Sequence, residues 1–296
     1  MLSATRQLEL PAGYDFAGTL GQLSLGKHDP CRRFIDGVFW LAARTPDGPG
    51  SLGLHRDGLA EAHGPGTTWL LERADAVAGL RDDLGEFREL ARSHRFVAEL
   101  AHRHGGLRLP ATGQVFPHVL RAICEQKVTG QEAYRAYSAI VRRFREPAPG
   151  PHPTLLLPPL AEQVAELRYF DLHPLGLEQK RAETLLRAAR TPWPEREPEQ
   201  TSRRLLALRG IGQWTVAEVL RNAHGDPDAV SVGDYHLKNQ VAWALAGEAR
   251  ATDERMLELL EPFRGHRGRV CQLLMRAGIG APRFGPRAPI RSFRSF

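Results

Sequence analysis

Leu208-Arg209-Gly210-Ile211-Gly212-Gln213-Trp214-Thr215 is the stretch on which the reading of this 296-residue chain turns. Two glycines bracket one apolar residue, and apolar side chains recur at helical spacing on both sides. Leu205, Leu206 and Leu208 lie before the glycines, with Thr201 or Ser202 placed to cap that helix. Gln213 through Ala223 reads as a second helix with Val216, Val219 and Leu220 on its buried face. Glycine adopts backbone angles closed to other residues, so Gly210 and Gly212 permit a tight hairpin while Ile211 packs inward. The second helix then opens with unpaired N–H groups and the positive end of its dipole, an anion site by construction. Gly210, Ile211, Gly212, Gln213 and Thr215 are placed to hold a phosphate without reading a base. An ordinary helix–glycine–helix turn is the plainer alternative, which a bare Gly-x-Gly does not exclude.

A short way downstream, Asp234 follows Val230-Ser231-Val232-Gly233 and precedes a helix with apolar Leu237, Val241, Trp243 and Leu245. Its simplest role is a helix N-cap, worth about 1 kcal/mol. A lone carboxylate near a phosphate site also suits chemistry on the neighbouring sugar. The two roles compete, since a capping oxygen is already engaged.

Upstream, the chain is helical from Leu107. Val115, Phe116, Val119, Leu120 and Ile123 form one apolar face, and Gln126-Lys127-Val128 connects it to the capping-box pattern Thr129-Gly130-Gln131-Glu132. The helix that follows presents Tyr134, Tyr137, Ile140, Val141 and Phe144. After the proline-rich Glu146–Pro153, helices are expected over Pro159–Leu167 and Glu178–Arg190, the second ended by Thr191-Pro192-Trp193-Pro194. Residues 1–106 read as mixed α and β, a small antiparallel sheet with helices on one face. The spacing predicts a strand over Arg33–Ala42, a turn at Pro46-Asp47-Gly48-Pro49-Gly50, and shorter strands over Ser51–His55 and Thr67–Glu72 around His63-Gly64-Pro65-Gly66.

The net charge of +6 is unevenly placed. Arginines 264, 267, 269, 276, 283, 287, 291 and 294 occur with no acidic residue among them, and the whole positive surplus lies there. Such a stretch suits a polyanion, and Arg264–Arg269 is the part for which a functional role is favoured. The part after Pro282 reads equally as a solubilising tail. Cys31, Cys124 and Cys271 share no metal-ligand spacing, which argues for a reducing compartment without a disulfide framework. No apolar run suits a signal peptide or a membrane span, so a cytoplasmic protein is expected.

The full hairpin string resembles the helix-hairpin-helix of the base-excision DNA glycosylases. Trp214-Thr215 with Gly233-Asp234-Tyr235 is most similar to the 3-methyladenine DNA glycosylase II group, as are the segments Gln126-Lys127-Val128 and Gln179–Leu185. The resemblance is strong over Leu107–Gly280 and weak before it. It implies a mostly α fold with an N-terminal α+β domain (1–106), a two-lobed helical glycosylase domain (107–281) with its hairpin at 201–223, and a basic tail (282–296).

Asp234 matches that family's catalytic aspartate. Breaking an N-glycosidic bond builds positive charge on the sugar, and a buried anion stabilises that charge more than the neutral ground state. An alkylated purine is already cationic and leaves without a general acid. Trp214 stands where strand-cleaving relatives carry a catalytic lysine, so the resemblance implies a monofunctional glycosylase. Trp214, Glu218, Tyr235 and His266 match base-pocket positions, although Glu218 and His266 replace aromatics. Glu218 reads either as a pocket carboxylate or as a solvated helix residue. Lys127 stands where an apolar wedge would fill the gap left by a flipped base, and reads more simply as a phosphate contact. Gln126 is a further residue on the DNA side. No cofactor is required by the resemblance, which places the backbone carbonyls of Leu206, Leu208 and Ile211 where a monovalent cation would bridge to a phosphate. The implied partner is duplex DNA containing damaged bases, with no membrane, a monomeric state and a nucleoid-associated location. A non-catalytic DNA-binding protein that keeps the hairpin, a glycosylase for deaminated bases, and a plain helical interaction domain stay open as alternatives.

Overall fold

The computed structural model describes residues 2–193 and 197–281. The basic tail expected at 282–296 lies outside them. Five strands, β1 (Ser3–Gln7), β2 (Arg32–Ile35), β3 (Val38–Thr45), β4 (Gly48–Leu54) and β5 (Leu59–His63), pair antiparallel in the order β1-β5-β4-β3-β2. Helix α1 (Phe16–Gly21) is inserted between β1 and β2, and α2 (Thr67–Glu72) and α3 (Ala74–Val77) follow β5. Alternation along β3 sends Phe39, Leu41 and Ala43 toward these helices and Trp40 and Ala42 to the other face. There they pack on Ala148, Leu155 and Leu157, so the sheet is covered on both sides.

Two sequence expectations fail here. Arg33–Ala42 is not one strand but a hairpin turning at Asp36-Gly37, where φ is +50° and +84°. Asp-Gly is the pair that a two-residue hairpin turn demands, and it sits hidden inside an apolar run. Thr67–Glu72 is a helix rather than a strand. Its β-branched and aromatic residues favour a strand locally, but Thr67 and Leu70, three apart, are the ones the core buries. Tertiary packing outweighs propensity at this position.

The remaining helices are α4 (Gly85–Ala91), α5 (Arg95–Arg103), α6 (Val115–Glu125), α7 (Gly130–Phe144), α8 (Ala161–Ala165), α9 (Tyr169–Leu172), α10 (Gln179–Ala189), α11 (Pro198–Leu206), α12 (Gln213–His224), α13 (Leu237–Ala246), α14 (Asp253–Leu260) and α15 (Arg267–Arg276). They form two lobes with separate cores. One buries Val119, Ile123, Tyr137, Ile140, Leu185, Leu205, Ile211 and Val219, from α6, α7 and α10 to α12. The other gathers Phe87, Val97 and Leu100 of α4 and α5 with Leu237, Val241, Met256, Leu260, Val270 and Leu274 of α13 to α15. Thus α4 and α5, which the sequence reading groups with the sheet, contribute their apolar faces to the C-terminal helices. The capping box at Thr129 and Glu132 forms as expected, with Thr129 N–H donating to Glu132 Oε2 at 2.8 Å. All three cysteines are free and buried, and burial pushes each thiol up to about 12. No described helix is long and apolar enough to cross a membrane.

Candidate active site and nucleic-acid interface

Helix α11 starts one turn earlier than expected, at Pro198, whose missing N–H suits a first helical position. Thr201 and Ser202 therefore lie inside the helix rather than at its cap. Thr201 is buried, its hydroxyl 3.1 Å from His224 Nε2. Leu205 is buried, while Leu206, expected on the same face, is 49% exposed.

In the hairpin the two glycines do different work. Gly210 has φ +96°, and a β-carbon there would fall 2.2 Å from Thr184 Oγ1 on α10. Gly212 has extended backbone and nothing within 4 Å of where its β-carbon would stand. The expectation of special backbone angles at both glycines thus holds for Gly210 alone. Ile211 packs inward, and its N–H donates to Leu208 O at 3.1 Å. Side chains from neighbouring elements then take two turn carbonyls: Gln126 Nε2 reaches Gly210 O at 3.1 Å, and Arg187 Nε reaches Arg209 O at 3.2 Å. Gln126 Nε2 also donates to Thr215 Oγ1 at 2.9 Å, and Thr215 is buried. Gln126 and Thr215, expected on the DNA side, are thus joined by one side-chain bond within the hairpin.

The first intrahelical bond of α12 runs from Val216 N–H to Gly212 O, leaving the N–H groups of Gln213, Trp214 and Thr215 without a helical acceptor. Gly212 and Gln213 are exposed at this end. Arg209 in the turn and Lys127 beside Gln126 are exposed too. Lys127 takes φ +53°, a left-handed conformation that a bulky residue adopts only where its neighbours are fixed; here Gln126 is that fixed neighbour.

Trp214, half-buried on the first lobe, points its indole at the second. Its Nε1–H donates to Asp234 Oδ2 at 3.3 Å. Asp234 Oδ1 accepts from the backbone N–H of His236 at 2.7 Å and of Leu237 at 2.8 Å, but the N-cap of α13 is His236, so the cap expected at Asp234 lies two residues further on. The two oxygens thereby differ: one is held by amides at the entry to α13, the other faces Trp214. The preceding loop is tightly turned. Val232 N–H donates to Val230 O, Asp234 N–H closes a turn on Ser231 O at 3.1 Å, and Gly233 supplies the required positive φ of +90°. Gly233 N–H is held by Asp253 Oδ1 at 3.1 Å.

The other residues matched to a base pocket lie in different settings. Tyr235 is 80% exposed, its ring edge-on to His236. His266 is buried beside α4, with its ring 5.5 Å from Phe87 and Nε2 3.6 Å from Glu86 Oε2. Burial and the Arg269 guanidinium hold its pKa below the usual histidine range. Glu218 is not a solvated helix residue: its side chain is only 13% exposed, pairs with Arg221, and accepts the Ser231 hydroxyl at 2.6 Å. Burial opposes its ionisation, but Arg221 and the Ser231 hydrogen bond outweigh it and lower its pKa. Glu125, beside Arg121 and within the field of Glu218, has its pKa raised by burial. Sequence reading missed Glu125, Arg121, Arg221 and Ser231; the Arg-x-x-x-Glu and Glu-x-x-Arg spacings were the available signal. The arginines of Arg264–Arg269, favoured for a polyanion, each have an acidic partner in the fold. Arg264 pairs with Glu261 at 2.8 Å, Arg267 with Asp228 at 2.8 Å and Arg269 with Asp82 at 2.9 Å, and Arg276 pairs with Asp15 at 2.7 Å. Arg269 is thereby buried in an internal pair, while Arg264 keeps an exposed side chain.

Residues 120–264 match the family model described as "HhH-GPD superfamily base excision DNA repair protein". The chain is 27% identical over 154 residues to Bacillus subtilis YfjP, covering 49% of this chain and 52% of that protein. It is 23% identical over 194 residues to the Bacillus subtilis DNA-3-methyladenine glycosylase, covering 62% of this chain and 64% of that one. The matched part therefore spans less than two thirds of either relative. In structure, a 3-methyladenine DNA glycosylase from Archaeoglobus fulgidus superposes with a TM-score of 0.75 at 18% identity, covering 93% of this chain and 98% of that one. The sheet and both helical lobes are therefore a shared fold.

Proposed function

We propose, from the premise that residues 120–264 belong to the HhH-GPD superfamily of base excision DNA repair proteins, that this protein is a monofunctional DNA glycosylase. It would excise alkylated or otherwise damaged bases from duplex DNA by hydrolysing the N-glycosidic bond. The observation that carries the reading is the Trp214–Asp234 pair across the two lobes, beside the open amides of α12.

The chemistry follows from that geometry. Two backbone amides on Oδ1 fix the direction of the Asp234 carboxylate. Oδ2, the oxygen that meets Trp214, would then serve a sugar brought between the lobes, where the carboxylate stabilises the positive charge that develops as the base departs. A cationic alkylated base leaves without protonation. Trp214 offers an aromatic wall and no amine, so no Schiff base forms through it and the strand stays intact. The exposed amides at Gly212 and Gln213 suit a backbone phosphate, with Arg209 and Lys127 supplying positive charge nearby. The carbonyls of Leu206, Leu208 and Ile211 are hard oxygen donors at the same turn, suited to a monovalent cation that would add charge toward that phosphate. We further propose that the protein acts as a monomer in the cytoplasm, on the nucleoid.

Oligonucleotide duplexes carrying 3-methyladenine, 7-methylguanine, hypoxanthine, ethenoadenine or uracil, scored for abasic sites with wild type and Asp234→Asn, test the reading. Base release from the alkylated duplexes that is lost in Asp234→Asn is expected. Tight DNA binding without release from any substrate would make the protein a binder only. Release confined to hypoxanthine or uracil would assign it to deaminated bases. Borohydride trapping of a covalent adduct would overturn the monofunctional assignment.

A further inference from the structure

Helix α12 touches the Val230–Asp234 loop twice, one helical turn apart. Trp214 Nε1–H meets Asp234 Oδ2 at 3.3 Å, and Glu218 Oε1 accepts the Ser231 hydroxyl at 2.6 Å. Residues four apart on a helix share a face, so both contacts come from one stripe of the first lobe and reach one loop of the second. Their fates on substrate binding differ. Oδ2 is the oxygen that faces the sugar, so Trp214 must share or surrender it. The Ser231–Glu218 bond uses neither oxygen of Asp234, so a sugar that takes Oδ2 does not compete for it.

We infer that Glu218 is a positioning residue: through Ser231 it holds the Asp234 turn against α12 and sets where the carboxylate stands relative to the hairpin. The inference rests on the reading of Asp234 as the catalytic carboxylate. Three features make the linkage stiff. Ser231 and Asp234 are the first and last residues of one closed turn, so a shift at Ser231 passes directly to Asp234. Glu218 is itself fixed by Arg221 on the next turn of α12. A hydroxyl-to-carboxylate bond is charge-assisted and roughly twice as strong as a neutral one. The opposite side of the turn is pinned by Asp253 of α14 to Gly233 N–H. The turn is thus held between two carboxylates, one from each lobe, and losing Glu218's hold lets it lean toward α14.

Ser231→Ala removes the donor and leaves the Glu218–Arg221 pair intact. At saturating enzyme, base release is expected to slow about 10- to 100-fold, the order of loss that a misplacement near 1 Å produces. Affinity for an abasic-site duplex should stay within about twofold, because the phosphate contacts are elsewhere. Ser231→Thr, which keeps the hydroxyl, should restore the rate. Glu218→Ala added to Ser231→Ala should cost little more. The Trp214 indole N–H resonance, identified through Trp214→Phe, should move in Ser231→Ala. A wild-type release rate in Ser231→Ala overturns the inference. So does slow release with an unmoved indole resonance, or a threonine variant as slow as the alanine. If wild type releases no base at all, the proposed activity fails separately, and the indole resonance alone decides the positioning role.

Discussion

The hairpin and the Asp234 loop solve the same problem with opposite materials. In the hairpin, side chains hold the backbone: Gln126 and Arg187 take the Gly210 and Arg209 carbonyls, Thr184 crowds Gly210, and bare amides face outward. In the loop, the backbone holds a side chain: two amides orient Asp234, and a carboxylate faces outward. A phosphate is met by donors that belong to every sequence, while a developing cation needs a charge that only certain side chains carry. The hairpin should therefore fail through changes of shape, and the loop through changes of charge.

The largest test of that contrast is Asp234→Asn. The amide keeps an oxygen for the His236 and Leu237 N–H groups but loses the charge, so base release should fall by at least about 1,000-fold. Duplex affinity, read by fluorescence anisotropy, should change little. Equal loss of affinity and rate would mean that the loop also serves binding. Next comes a pair of glycine substitutions. Gly210→Ala places a β-carbon at φ +96° against Thr184 and should cost roughly 2 kcal/mol or more. Gly212→Ala meets open space in extended backbone, and its unfolding free energy in urea should lie within about 1 kcal/mol of wild type. Similar losses at both positions would break the claim that Gly210 alone is conformationally obliged.

A smaller effect is expected at the clamp. Gln126→Ala frees the Gly210 carbonyl and Thr215 hydroxyl and should cost about 1–2 kcal/mol. It should weaken undamaged and damaged duplexes alike, leaving the release rate at saturation near wild type. The smallest effect separates the two carboxylates behind the site. Glu218 has a lowered pKa, so its stabilisation is present above the ordinary carboxylate range and is lost as pH falls through its folded-state value. Glu125 has a raised pKa, so its charge is a liability at neutral pH, relieved as pH falls below its folded-state value. Melting curves across that range should show Glu218→Gln less stable than wild type at neutral pH and converging with it in acid. Glu125→Gln should be neutral or more stable at neutral pH, the difference again closing in acid. Matching behaviour of the two variants would dissolve the distinction.

What was legible in the sequence was whatever short-range pattern controls. Apolar spacing placed α6, α7, α10 and α12, and the Thr129–Glu132 pattern placed a helix start. Features set by distant partners escaped. Thr201 reads as a cap, but Pro198 opens the helix a turn earlier. Arg267 and Arg269 looked like free charge because Asp228 and Asp82 lie far off in the chain. Asp234 reads both as a cap and as a candidate for chemistry, but the cap falls at His236, and only three dimensions give Oδ1 to two amides and Oδ2 to Trp214. Glu218 was noticed as a departure from an aromatic position; its hold on Ser231 depends on a loop from the other lobe.

Helix α12 carries, along one rod, the amides at its open end, the indole of Trp214 and the carboxylate of Glu218. On the proposed function it would work as a gauge between the place where a strand is gripped and the place where a bond is cut. A helix changes length only in increments of about 1.5 Å and 100° per residue. One inserted residue after Gln213 would swing Trp214 and Glu218 about a quarter-turn off the loop, and about seven would be needed to restore the face. The spacing between grip and cut is in this sense digital, and drift in the surrounding loops cannot adjust it gradually.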